Sequence, residues 1–222
     1  MINLEVVIIG VCVIIISSLI FMLVQTRNQL KQVKLSINTP ASIFQSKFHN
    51  LMQEHAFFLI DASRRSLGNN IAAYKASLVA LKDNINQIRE LLIPLFGTNN
   101  TDTLIDLWDS ITTIFINYGT AIKNGDLKAN AAFDLDIKNY EKKVATFWST
   151  GGGIIPAYSA ISYNEMLKLV TQNINYEKAA IDSWRIGNYT DYYNFLTKSY
   201  LSVGLYADVL AKSIIRNSGY FS

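Results

Sequence analysis

The sequence predicts an all-α protein, with a single N-terminal transmembrane helix followed by a six-helix bundle. Three observations lead there. Residues 6–24 read VVIIGVCVIIISSLIFMLV without one charge. Beyond them apolar residues recur every three or four positions, and no alternating strand pattern competes over a comparable length. Three prolines and eleven glycines in 222 residues leave long stretches free of helix breakers. Half the chain is apolar and 17% is charged, which excludes a disordered polymer. A net charge of +3 provides no basic groove for nucleic acid. The lone cysteine excludes an intrachain disulfide framework and a Cys-rich zinc site.

The uncharged run makes a helix roughly 28 Å long, which nearly spans a hydrocarbon core. A cleaved signal peptide would need a basic start and a small-residue cleavage site. Here Glu5 precedes the run with no Lys or Arg, and Val11 stands before Cys12 where a lipoprotein signal needs a small residue. The expectation is an uncleaved, single-pass anchor over 1–25, with the lipid bilayer as a partner and Cys12 as an apolar filler. Arg27, Lys31 and Lys34 follow the span and nothing basic precedes it. The positive-inside rule then places the bulk of the chain on the cytoplasmic side, or in a virion interior. Residues 26–40 read as a polar, basic linker helix stopped at Asn38-Thr39-Pro40, because proline disfavours helix in the residue before it. The bundle domain runs over 41–222.

Six apolar stripes define the bundle, in chain order. Phe44, Phe48, Leu51, His55, Phe58 and Ala62 form the first; Ile71, Tyr74, Leu78, Leu81, Ile85, Ile88 and Leu92 the second. Leu104, Leu107, Trp108, Ile111, Phe115, Tyr118 and Ile122 form the third, and Phe133, Ile137, Tyr140, Val144 and Phe147 the fourth. Met166, Leu169, Val170, Ile174, Ile181 and Trp184 form the fifth; Leu196, Val203, Tyr206, Leu210 and Ile214 the sixth. Gly97, after Pro94, ends the second helix; Asn100 or Thr101 caps the third, with Asp102 in its first turn. Gly125 suits a left-handed helix end, and Ser162-Tyr163-Asn164-Glu165 is a capping box. Gly68, Gly125 and Gly187 stand 57 and 62 residues apart, each between two helices. That spacing suggests three stacked helical hairpins, while a generic bundle with glycine caps fits the same turns. Gly151-Gly152-Gly153, with Ile154-Ile155-Pro156, reads as a long connection and lacks the Gly-Lys-Ser/Thr of a phosphate loop.

From His55 to the C-terminus the chain resembles an uncharacterised family of small all-helical proteins from bacteria and large DNA viruses. Family members look like an Asn-Gln-x-x-Ile-Gly run followed by Pro-x-Tyr-Gly, matched here at Asn84, Ile88, Pro94 and Gly97. Glu54-His55 resembles the family's Glu-His start, Lys123-Asn124-Gly125-Asp126 its Lys-x-Gly-Asp turn, and Ala207-Asp208 with Leu210 a stretch of its last helix. Ile85 and Arg89 depart from the pattern. The later histidines of the family are absent, with Val170, Tyr200 and Ser202 near their places. The resemblance implies a helical fold and no known activity.

The chemistry is correspondingly sparse. His49 and His55 are the only histidines and lie six apart, about 240° around a helix, so they do not converge on a metal. No Glu-x-x-His pair, G-x-S-x-G elbow or Rossmann pattern is present. The expectation is therefore no enzyme, no catalytic or cofactor-binding residue, no cofactor and no resident metal. Three residues remain as polar-site candidates: Glu54, His55 and Asn84. A core histidine satisfied by a neighbour is the plain reading of His55, and a ligand or proton-sensing role is the other. Tyr189, Tyr192, Tyr193, Phe195 and Tyr200 form an aromatic group suited to packing or to a partner surface. Abundant Asn, Ile, Lys and Tyr suit an AT-rich genome, pointing to a large DNA virus, where this would be a virion protein, or to a low-GC bacterium. The function expected is a membrane-tethered bundle with a structural or protein-interaction role. Its rival is a ligand- or metal-sensing bundle around His55.

Overall fold

Helix boundaries follow from capping chemistry. The computed structural model describes residues 22–27, 39–126, 128–149 and 161–221, and these are helical apart from short turns. Helix α1 spans Pro40–Ser66. Proline opens it, since its missing N–H is not needed in a first turn, and Thr39 Oγ1 accepts from the Ser42 N–H at 3.2 Å. Helix α2 spans Ile71–Lys123, capped by Asn70 Oδ1 on the Ala73 N–H at 2.9 Å. Helices α3 (Ala129–Trp148), α4 (Tyr163–Arg185) and α5 (Tyr189–Asn217) follow, with a short 3-10 turn at Gly219–Phe221. Ser162 Oγ accepts from the Glu165 N–H at 3.2 Å, as a capping box requires.

The expected transmembrane helix is corrected. No helix among the described residues is long and apolar enough to cross a membrane. Pro40–Ser66, Tyr163–Arg185 and Tyr189–Asn217 are amphipathic, carrying a polar face that a bilayer would not solvate. Of the run over 6–24, only Met22, Leu23 and Val24 are described, in a helical turn over 22–27; residues 1–21 and 28–38 lie outside the described residues. The anchor, the single-pass location, its cytoplasmic orientation and the bilayer as a partner are accordingly set aside. The glycine-rich connection at 151–156 also lies outside the described residues.

Contacts divide the chain into two units, 1–43 and 44–222. In the second, α2 is two helical arms, 71–96 and 98–123, joined at Gly97, whose φ of 73° and ψ of 167° leave the helical region. A positive φ is open to glycine and strained for other residues, and Pro94 three residues earlier weakens the same stretch by removing a donor. The consequence is a reversal. Arg89 Nε donates to Asp102 Oδ1 at 2.7 Å across the break. Asn84 and Trp108 both reach His55, although a straight helix would hold them about 36 Å apart. The third helix thus starts immediately after Gly97, not at a cap on Asn100 or Thr101. Asn100 Nδ2 instead donates back to the Phe96 carbonyl at 3.1 Å, and Thr101 is wholly buried.

One continuous core joins all of these helices: Phe48 and Met52 of α1, Ile88 and Phe115 of α2, Val144 of α3, Met166 of α4, and Val203 and Leu210 of α5. Helices α1 and α5 come close at Gly204, where an added methyl carbon would stand 2.6 Å from Gln53 Nε2 and 2.9 Å from His49 Cε1. The expected turn repeat is partial. Gly125 and Gly187 both adopt φ near 75° at helix ends, while Gly68 does not.

Candidate functional site

The helices converge on a chamber of about 40 Å³ in the core. Each contributes by its apolar stripe: α1 supplies Met52, His55, Ala56 and Leu59, and the second arm of α2 supplies Trp108 and Ile111. Polar groups enter from the remaining three. Tyr140 comes from α3, Asn173 and Glu177 from α4, and Tyr206 from α5.

His55 sits on the buried face of α1 because it follows Phe48 and Met52 at helical spacing. Its ring lies 5.9 Å from that of Trp108. The Asn84 side chain is its polar neighbour, but neither ring nitrogen meets hydrogen-bond geometry with any described residue. Burial lowers its pKa to about 4, against an opposing pull from the Asn84 side chain. Asn84 is buried too; its Nδ2 donates to the Leu51 carbonyl at 2.9 Å, and its Oδ1 has no partner among the described residues. The structure thus brings together two of the three candidates. Glu54 is exposed and borders a surface recess with Lys47, Gln87 and Glu90. His49 faces away, its Nδ1 standing 3.1 Å from Asp208 Oδ1 on α5.

Glu177 is the group that sequence reasoning missed. It is 3% exposed. Its Oε1 accepts from Asn173 Nδ2 at 2.7 Å, and Asn173 Oδ1 accepts from Ser199 Oγ at 3.2 Å, which ties α4 to α5. Burial pushes its carboxyl up to about 8, with the Asn173 hydrogen bond opposing. A signal was available: Val170, Ile174, Glu177 and Ile181 follow four-three-four spacing, so the carboxylate occupies an apolar stripe. Burial also raises Tyr140 well above the phenol range, helped by Tyr206 and Glu177. Tyr206 rises by burial, with the Trp148 indole opposing.

At neutral pH the lining is therefore uncharged yet rich in hydrogen-bonding groups. It can hold a water-sized guest, since one water needs roughly 10–15 Å³ by this measure. Among the described residues no three His, Cys, Asp or Glu side chains converge as a metal-ligand group. The aromatic group around α5 is split: Tyr192 is buried, whereas Tyr189, Tyr193 and Tyr200 are exposed.

Comparison with family models, curated proteins and solved structures returns no match for this chain.

Proposed function

We propose that the helical domain is a non-catalytic sensing bundle, in which the state of the His55 chamber sets how tightly the surrounding helices pack. The observation that supports it is the His55 imidazole, buried with both nitrogens unpartnered among the described residues, on a chamber also lined by Glu177. A buried polar group without a partner costs about 1–3 kcal/mol. A guest that supplies the missing hydrogen bonds recovers part of that cost only in the folded state, and so stabilises it by linkage. The chamber size restricts the guest to a proton with its water, an ammonium ion or a single metal cation.

The test is hydrogen exchange of α4 and α5 in the full chain under four separate stimuli: Zn²⁺, Mn²⁺, NH₄⁺ and a pH step from 6 to 8.5, with exchange corrected for its intrinsic pH dependence. At least one stimulus changes protection in wild type and does so less in His55→Ala or, for the pH step, in Glu177→Gln. Unchanged protection under all four would remove the reading.

A second reading, a protein-interaction module, draws on α5, where Tyr193, Leu201 and Leu205 are 61%, 59% and 65% exposed. Exposed apolar side chains on one helix favour contact with a partner. Under this reading Leu201→Asp with Leu205→Asp abolishes partner binding and leaves the thermal midpoint unchanged.

A further inference from the structure

We infer that the chamber is a proton-binding site, with Glu177 as the group that holds the proton and the surrounding helices loosening when it is released. This rests on the sensing reading above and names its ligand. The geometry supports it in three ways. Glu177 lines the chamber from α4 and is anchored there by Asn173, itself held by Ser199 of α5. Among the described residues, the other titratable side chains lining the chamber are neutral near pH 7: His55 from α1, Tyr140 from α3 and Tyr206 from α5, while α2 contributes Trp108 and Ile111. No Lys or Arg among the described residues lines the space, so none of them meets a carboxylate formed there.

The step balances simply. The Glu177 carboxyl O–H breaks, its electron pair stays on oxygen, and the proton passes to water and then to bulk solvent. His55 does not retain it, because burial holds the imidazole neutral down to about pH 4. The remaining carboxylate must be hydrated, and a chamber of about 40 Å³ holds only a few waters, so fuller hydration requires the helices to separate.

The sign follows from proton counts. Unfolded, Glu177 has the ordinary value of 4.5; folded, it is pushed up to about 8. Between these values the folded chain holds a proton that the unfolded chain has lost, so stability falls as pH rises. His55 runs the other way only below its ordinary 6.5. Above pH 7 Glu177 acts almost alone, and the unfolding equilibrium constant rises about tenfold between pH 7 and pH 9.

Two measurements on the full chain test this. Urea denaturation at pH 7 and pH 9 is expected to give the tenfold rise in wild type and none in Glu177→Gln. Carbon-13 NMR titration of the Glu177 carboxyl in wild type needs no substitution, and its midpoint is expected near pH 8. A midpoint below pH 6, or an equal pH response in the variant, overturns the proposal. If Zn²⁺, Mn²⁺ or NH₄⁺ acts through His55 while Glu177 titrates below pH 6, sensing stands and the proton site falls. If Glu177 titrates near pH 8 without any change in α4 and α5 exchange, proton binding stands while the loosening and the sensing reading both fall.

Discussion

Replacing His55 by glutamine isolates the acid side of the chamber. Glutamine keeps a neutral hydrogen-bonding side chain and removes the titration. In the fold His55 is lowered from 6.5 to about 4. Between those values the unfolded chain takes up a proton that the folded chain refuses. The stability due to neutral His55 is therefore fully present above pH 6.5 and lost as pH falls toward 4. At about 1.4 kcal/mol per pKa unit, the loss between pH 7 and pH 4.5 is about 2 kcal/mol. Glu177 contributes equally to both proteins and cancels in the difference. His55→Gln should thus gain about 2 kcal/mol relative to wild type when both move from pH 7 to pH 4.5, whatever its absolute stability. The assay is urea denaturation followed by tryptophan fluorescence, since Trp108 lies against the His55 ring. A wild-type-minus-variant difference that is the same at both pH values would refute the claim that His55 is held neutral by burial.

Two further substitutions probe the frame that holds the chamber. Gly204→Ala pushes aside the ends of the Gln53 and His49 side chains, breaking the Gln53 Nε2 bond to the Tyr200 carbonyl, and should cost about 1 kcal/mol by denaturant melting. Gly97→Ala meets nothing sterically yet must adopt a φ of 73°, and should cost about 1–2 kcal/mol by the same assay; an unchanged midpoint would mean that the break is not fixed by glycine.

Much of the helical pattern was legible because apolar periodicity is a local property. Leu81, Ile85, Ile88 and Leu92 stand at helical spacing in the sequence and are buried in the fold, as are Trp108, Ile111 and Phe115. Capping at Ser162 and the break at Gly97 were legible for the same reason, since a hydroxyl near an open N–H and a glycine in left-handed geometry act within a few residues. Limits appeared where one pattern admits two environments. Ile71 shares the second stripe but is exposed, because it lies at the start of α2, away from the core. The charge-free run over 6–24 met a membrane criterion on composition alone, and no described helix satisfies it.

The sequence by itself determined that the domain is helical and which face of each helix is apolar. That His55 belongs inside was readable from its stripe. Only the tertiary structure decided that Tyr140, Glu177 and Tyr206 join it, and that Glu54, its immediate neighbour, does not. Periodicity assigns a side chain to a face but says nothing of which helix that face meets. The meeting depends on the reversal at Gly97 and the close approach at Gly204, and it is this enclosure that withdraws water from Glu177 and His55 and moves their proton affinities in opposite directions.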